Sequence, residues 1–298
     1  MHHRANRSAD IAPDSGAGST LPSFIQSLRP FSLVVALVSC GLGVVLALLQ
    51  QHGDGARAVL ILSAGLLLQG GVNLINDHSD LPLLEGKRYR QLRMVIRQQC
   101  RWGYLAIALS ALLGIGLVVD VGWSLLLLLL LGLLGALGYT VEPLNYKRRG
   151  LGVPLVFWLM GVLMIVGAYH AMGAPLSADV FWLSLPVSML VALLLLSNEL
   201  RDWEADRRNN IQTLSVRIGY SAASRLYLLM LSVTYLLCLL LWQQGLLIRL
   251  WPLLLSLPLL PELLSLLSKS ASQRVSLTPK SGRLLLIFGV LFVGCVVP

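Results

Sequence analysis

The chain has 298 residues, of which 56% are hydrophobic and only 12% are charged, and its mean hydropathy is +0.76. These values exclude an ordinary soluble domain and predict an integral membrane protein. The net charge of +9 is accounted for by membrane topology and by the anionic inner leaflet, so it does not predict nucleic-acid binding.

The N-terminal segment, residues 1–20, is polar and contains few large apolar side chains, which predicts disorder. Residues 21–298 are predicted to form a single transmembrane domain. The first apolar segment follows the polar tail and is long enough to span a bilayer, so no cleavable signal peptide is predicted. The four scattered cysteines predict neither a disulfide framework nor a metal site, and no feature indicates an obligate protein partner.

Apolar runs separated by Gly, Pro and charged residues predict nine transmembrane helices. Their approximate bounds are Phe31–Leu49, Ala58–Val72, Leu105–Val119, Trp123–Tyr139, Pro154–Met172, Val180–Ser197, Leu226–Trp242, Trp251–Leu267 and Leu284–Val297. With these bounds, 21 of the 23 basic residues fall on one side of the membrane and only Arg57 and Arg249 fall on the other. The positive-inside rule then predicts an all-α bundle in the inner (cytoplasmic) membrane with a cytoplasmic N-terminus.

Two polar clusters end the second and the sixth predicted helices. The first lies in "GGVNLINDHSDL", Gly70 to Leu81, where four side chains, together with that of Gln69 just before the stretch, fall within an arc of about 100° on one helix face. They are Gln69, Asn73, Asn76, Asp77 and Asp80. The second lies in "LLLLSNELRDWEADRRNN", where Asn198, Asp202 and Asp206 also share one face. Because both helices are even-numbered, both clusters are expected at the cytoplasmic surface.

Carboxylates from two helices at one level are typical of a shared divalent cation. Mg²⁺ binds one or two carboxylates and completes its shell with water and phosphate oxygens, which suits a diphosphate. The predicted metal ligands are Asp77, Asp80, Asp202 and Asp206. The predicted diphosphate-binding residues are Asn73, Asn76, Lys147, Arg148, Asn198, Arg201 and Arg207, with Arg149 beside them. Either cluster alone is more often a solvated helix end, but the two together favour the metal–diphosphate site.

At these residues the sequence resembles the UbiA superfamily of intramembrane aromatic prenyltransferases, whose members have nine helices and two Asp-rich motifs. "NELRDWEADRRNNIQTLSVRIG", Asn198 to Gly219, is most similar to the menaquinone branch, and "YTVEPLNYKRRGLG", Tyr139 to Gly152, resembles the family's Tyr-Thr-x-x-Pro loop. Two positions depart from the pattern. Leu84 stands at the third acid of the first motif, with Glu85, Lys87 and Arg88 close by, and Asn210-Ile211 replaces Gly-Lys.

The resemblance implies Mg²⁺-assisted transfer of a polyprenyl chain from its diphosphate to an aromatic acid, with 1,4-dihydroxy-2-naphthoate as acceptor in menaquinone biosynthesis. It also implies a catalytic role for Tyr139, whose ring would stabilise an allylic cation. Another acceptor such as 4-hydroxybenzoate stays open, as do an inactive homologue and a membrane transporter, whose polar residues would be expected nearer mid-membrane. "DGAR", Asp54 to Arg57, has the wrong spacing for a CDP-alcohol phosphotransferase.

Glycines at spacing three in the fourth predicted helix, Gly132, Gly135 and Gly138, predict close packing against a neighbouring helix.

Overall fold

The computed structural model describes residues 24–78, 89–139 and 144–297, and every regular element in this part of the chain is helical. The helices are α1 Phe24–Ser27, α2 Pro30–Leu49, α3 Gly55–His78, α4 Arg90–Val121, α5 Trp123–Gly138, α6 Gly152–Val156, α7 Met164–Ala171, α8 Ala178–Arg201, α9 Trp203–Arg208, α10 Leu214–Ile218, α11 Tyr220–Gln243, α12 Trp251–Leu254, α13 Leu260–Leu266 and α14 Leu277–Val296. A π-helical segment, Phe157–Leu163, joins α6 to α7.

Seven helical stretches within the described residues are long and apolar enough to cross a bilayer. They are Pro30–Leu49, Gly55–Asn76, Arg90–Val121, Gly152–Ala171, Ala178–Arg201, Tyr220–Gln243 and Arg274–Val296. Trp123–Gly138 and Trp251–Leu266 are apolar but shorter. The chain is therefore an all-helical, multi-span membrane protein, whereas the count of nine crossings and the orientation stay predictions.

Several predicted bounds were too short. α3 runs to His78, so the first polar cluster continues the helix as far as Asp77, and α8 runs to Arg201. α4 begins at Arg90, which places Arg93, Arg97 and Arg101 on a helix rather than in the predicted loop. Long arginine side chains can extend along a helix to reach water, so a charged helical end is compatible with an apolar continuation.

The eighth predicted helix is broken, contrary to the expectation of one continuous span. α12 and α13 are separated by a 3₁₀ turn at Leu257–Leu259. Pro252, Pro258 and Pro261 each lack the amide hydrogen that a continuous helix needs. Three prolines within ten residues therefore explain the break.

α8 lies at the centre of the bundle and packs against α11, α14 and the π-helical segment, while α2 packs against α3, α7 and α14. The π segment approaches α8 closely, because a Cβ placed on Gly161 would lie 2.4 Å from Cβ of Ser188. The hydroxyl of Ser39 on α2 donates to the carbonyl of Met160 in the same segment at 2.9 Å. A glycine and a side-chain donor thus accommodate the irregular turn inside the bundle.

Candidate active site

A cavity of about 350 Å³ runs between α2, α3, α4, α5, α7 and α8. Its polar lining gathers mostly at one end, which we call the motif end: Arg29, Ser32, Gln69, Asn73, Asn76, Tyr139, Tyr146 and Asn198. The rest, which we call the shaft, is mostly apolar and reaches Ile61, Leu117, Leu125 and Ala171. On α3 the lining residues from Asn76 to Ile61 cover about 22 Å at 1.5 Å per residue. The motif end therefore suits a polar head group, and the shaft suits a long apolar tail.

The first polar cluster forms a chain of amide hydrogen bonds along α3. Gln69 Nε2 donates to Asn73 Oδ1 at 3.3 Å, and Asn73 Nδ2 donates to the Leu28 carbonyl at 2.8 Å and lies 2.7 Å from Ser32 Oγ. Asn73 and Asn76 are both buried. These contacts fasten the segment before α2 to the predicted motif helix.

The acids of this cluster are only partly described. Asp77 falls in the last turn of α3, but its side chain is outside the described part, and Asp80 lies wholly outside the described residues. The same holds for Leu84, Glu85, Lys87 and Arg88. The predicted metal-binding role of Asp77 and Asp80 therefore stays a prediction.

The second cluster is carried by two helices rather than one. α8 ends at Arg201, Asp202 adopts a non-helical φ of −94° and ψ of 5°, and α9 follows. The backbone still bonds at helical spacing, because Asp202 N donates to the Asn198 carbonyl at 3.0 Å and Asp206 N donates to the Asp202 carbonyl at 2.9 Å. The predicted sixth helix, Val180–Ser197, therefore extends to Arg201, and a second short helix carries Asp206. Asn198 lines the cavity itself.

Arg201 binds its neighbour Asp202 through two hydrogen bonds. Nε donates to Oδ1 at 2.8 Å, and Nη2 donates to Oδ2. Both groups are partly exposed. This pair keeps the Asp202 carboxylate ordered and leaves other lone pairs on each oxygen for a cation.

Aromatic and charged contacts hold α9 in place. The Trp203 indole N–H donates to the Ser215 carbonyl at 3.1 Å, and Arg207 lies over the Trp203 ring at 5.2 Å. Glu204 pairs with the buried Arg274, which precedes α14. These contacts fix α9 and the Asp206 that it carries. Glu204 stands inside the second motif, and its sequence position alone indicated no role.

Tyr139 follows α5 and lies at the motif end beside the Tyr139–Gly152 loop. Its ring meets the edge of Tyr146 with centroids 5.7 Å apart, and its carbonyl accepts the Lys147 N–H at 3.2 Å. Lys147 Nζ then donates to Asn76 Oδ1 at 3.2 Å. The loop thus brings a predicted phosphate-binding lysine onto the α3 cluster.

The electrostatic surroundings keep both tyrosines neutral. Burial raises the pKa of Tyr139 well above its ordinary value, the charge of Glu199 raises that pKa further, and the charge of Arg29 lowers it. Burial also raises the pKa of Tyr146 to about 12. Tyr139 therefore presents a protonated phenol ring to the cavity at neutral pH.

Two lining residues were not assigned from sequence. Arg29, counted there only toward topology, lines the cavity with a left-handed backbone (φ 51°), a conformation that is uncommon outside glycine. Gln69, placed only in the polar arc, is buried, and its Oε1 has no hydrogen-bond partner. The position of Arg29, directly before Pro30 and the first apolar run, is the sequence feature that could have indicated its place in the lining.

The donor set at the motif end suits a hard cation. Among the described residues, no group of three or more His, Cys, Asp or Glu is close enough to hold a metal. The predicted ligands Asp202 and Asp206 offer only oxygen donors, and Asp77 and Asp80 are expected to complete the set. Oxygen-only ligands with few carboxylates match Mg²⁺ bound to phosphate.

Comparison with known proteins gives one consistent family. The sequence model of the UbiA prenyltransferase family matches residues 32–281. The 1,4-dihydroxy-2-naphthoate octaprenyltransferase of Escherichia coli is 32% identical over 247 residues, covering 78% of this chain and 80% of that protein. The enzyme of the same name from Bacillus subtilis is 25% identical over 250 residues, covering 79% of each chain.

The fold is also shared with solved structures. A UbiA homolog from Archaeoglobus fulgidus, bound to DMAPP and Mg²⁺, superposes with a TM-score of 0.60 at 17% identity, covering 91% of this chain and 99% of the other. The same homolog bound to GPP and Mg²⁺ gives 0.59. At this identity the superposition shows a common fold.

Proposed function

Because the chain belongs to the UbiA prenyltransferase family, we propose that its cavity binds a polyprenyl diphosphate and an aromatic acid and joins them. One observation carries this proposal: the cavity combines a cluster of amides and Arg29 at the motif end, with Lys147 bonded to Asn76 there, with a deep apolar shaft. A prenyl diphosphate has the same division between a charged head and a hydrocarbon tail. The relatives named for 1,4-dihydroxy-2-naphthoate favour that acceptor.

In this proposal Asp77, Asp80, Asp202 and Asp206 hold Mg²⁺. When bound, the ion withdraws charge from the leaving diphosphate as a Lewis acid. Cations and amides bind the remaining phosphate oxygens: Asn73, Asn76, Lys147, Arg148, Asn198, Arg201 and Arg207, to which Arg29 is added here. Lys147 already lies 3.2 Å from Asn76, so the two can bind one phosphate together.

The carbon that loses the diphosphate becomes cationic, and its surroundings decide what attacks it. The Tyr139 ring lies at the motif end, where its negative face can stabilise the cation. The apolar walls exclude water, which would otherwise compete with the aromatic ring as nucleophile. The unpartnered Oε1 of Gln69 is placed to accept a hydrogen bond from a hydroxyl of the acceptor.

The membrane arrangement follows from the charge distribution. We propose nine crossings, with the two shorter apolar helices spanning as well, a cytoplasmic N-terminus, and the motif end at the cytoplasmic face of the inner membrane. Lys147, Arg201, Arg207 and Arg274 all lie near this end, in agreement with the positive-inside rule. Residues 1–20 would then form a cytoplasmic tail and residues 21–298 one domain.

The test is product formation. Purified protein is incubated with Mg²⁺, octaprenyl diphosphate and either 1,4-dihydroxy-2-naphthoate or 4-hydroxybenzoate, and the lipid extract is analysed by mass. With the naphthoate acceptor we expect a prenylated naphthoquinol: the prenyl carbon bonds the ring carbon that carries the carboxyl group, diphosphate leaves the donor, and the carboxyl group leaves as carbon dioxide. A prenylated hydroxybenzoate would change the acceptor but keep the reaction, and release of free prenol alone would refute prenyl transfer.

A further inference from the structure

The π segment and α7 present a stripe of small and flexible residues to the shaft. Met160, Met164, Gly167 and Ala171 follow one another at spacings of three or four residues, so they share one helix face, and all four line the cavity. Ala171 ends α7 at the end of the shaft opposite the motif end. The stripe thus follows the shaft from its middle to its far end.

Gly167 differs from most glycines of the bundle because a side chain added there meets no atom. A Cβ built on Gly167 has no heavy atom within 4 Å, whereas a Cβ on Gly43 or Gly161 would collide with a neighbouring helix. Gly167 also lines the cavity, so the empty space beside it belongs to the shaft. Helix packing therefore does not require glycine at this position.

The depth of Gly167 can be measured from the motif end. Gly152 marks that level, because a Cβ on it would lie 3.7 Å from Cε2 of Tyr139. Gly167 follows on the same helical run, which places it about 22 Å from the level of Tyr139 at 1.5 Å per residue. An extended isoprene unit spans four chain bonds, or about 5 Å. A donor therefore reaches Gly167 with its fourth or fifth unit.

Gly132 on α5 lies at an intermediate depth. It also lines the cavity, and a Cβ on it would be in ordinary contact with Leu163 Cδ2 at 3.9 Å. It precedes Tyr139 by about 10 Å of helix, a length that two isoprene units span. By contrast, Gly135 lies tightly against Leu159, as predicted for close packing.

We propose that Gly167 sets the length of the prenyl donor, because the missing side chain keeps the far end of the shaft open to the tail of a long-chain diphosphate. This proposal rests on the proposed function and adds the residue that gives it long-chain specificity. Gly167→Leu fills the shaft at a depth that short donors do not reach, so only long donors are excluded. A leucine at Gly132 fills it nearer to Tyr139 and shortens the accepted chain further.

The experiment measures turnover of geranyl, farnesyl and octaprenyl diphosphates, with two, three and eight units, by wild type, Gly167→Leu and Gly132→Leu. We expect Gly167→Leu to use the two short donors within about twofold of wild type and to lose at least about tenfold with octaprenyl diphosphate. Gly132→Leu should keep the geranyl donor alone. The matched control is Gly41→Leu, since Gly41 on α2 also has no atom within 4 Å of a built Cβ but does not line the cavity. It should match wild type with every donor.

Each result decides the proposal. Equal losses for all donors in Gly167→Leu, or no loss for any, would overturn it. If Gly167→Leu does not accumulate in membranes, Gly132→Leu decides alone, because a selective loss of the two longer donors is still required. Wild-type protein without product from any donor would instead refute the proposed function, so the two failures are distinguishable.

Discussion

The two ends of the cavity both carry polar side chains, but they use them differently. At the end opposite the motifs, Ser124 Oγ lies 2.7 Å from His170 Nε2, and His170 Nδ1 bonds the Ala174 carbonyl. Arg57 forms an ion pair with Asp120 at the same end. These side chains satisfy one another outside the cavity lining. At the motif end, Gln69, Asn73, Asn76 and Asn198 line the cavity itself. The polar groups at the opposite end bond one another outside the lining, whereas those at the motif end bond one another and also face the cavity, where the unpartnered Oε1 of Gln69 can meet a ligand.

The largest effect is expected from the motif carboxylates. Asp202→Asn removes one negative charge from the proposed metal site and should lower kcat by a hundredfold or more, on the order of the loss of a principal electrostatic group in an active site. The opposite end supplies the matched control, Asp120→Asn, because Asp120 is also paired with an arginine. It should retain activity within about twofold. Equal losses in the two variants would remove the distinction between the ends.

Removal of divalent cations should also abolish turnover. Excess EDTA leaves the carboxylates and the diphosphate to repel each other, and added Mg²⁺ should restore the rate. Activity that persists in EDTA after dialysis would exclude the metal from the mechanism.

Two substitutions of Tyr139 separate the electrostatic effect of its ring from the chemistry of its hydroxyl. Tyr139→Leu should lower kcat about tenfold, since a cation–π contact in a desolvated site contributes about 1–2 kcal/mol. Tyr139→Phe should stay within about threefold. The raised pKa of Tyr139 keeps its hydroxyl protonated below its ordinary pKa and through a window above it. The pH–rate profiles of Tyr139→Phe and wild type should therefore coincide between pH 6 and 9. A change in the wild-type rate at high pH that Tyr139→Phe does not show would indicate that the hydroxyl takes part in the reaction.

The smallest effect concerns acceptor binding. Gln69→Leu removes the unpartnered oxygen and should raise KM for the aromatic acid about fivefold to tenfold with little change in kcat, the loss expected for one hydrogen bond to a buried hydroxyl. KM for the prenyl diphosphate should be unchanged. An acceptor whose hydroxyls are methylated should have the same KM with wild type and with Gln69→Leu.

Much of the fold could be predicted from the sequence because apolar runs and basic loops are local signals. The α3 cluster was found for the same reason, since helical periodicity alone places Asn73 and Asn76 on one face. The break at Asp202 could not be found this way. Asn198, Asp202 and Asp206 keep helical spacing, and the bend accompanies contacts of α9 with Ser215 and Arg274, far away in sequence.

The same limit applies to the residues that were missed. Arg29 was counted as a topological charge because only tertiary packing brings it beside the cavity. The open space at Gly167 depends on how α7 faces α4 and α5, which no spacing rule reports. Gly132 was expected to pack closely, but a Cβ built on it would meet only Leu163 Cδ2 at 3.9 Å, whereas Gly135 does pack tightly against Leu159.

In the proposed site the tips of α3 and α8 bind one magnesium diphosphate between them. Calorimetry can measure the binding of an unreactive prenyl thiodiphosphate, in the presence of Mg²⁺, to wild type, Asp77→Asn, Asp202→Asn and the double variant. If the tips share this ligand, the two single losses in binding free energy should fail to add, with a coupling above about 1 kcal/mol, as for groups that share a ligand. Losses that add to within about 0.5 kcal/mol would contradict it, because independent sites behave in that way.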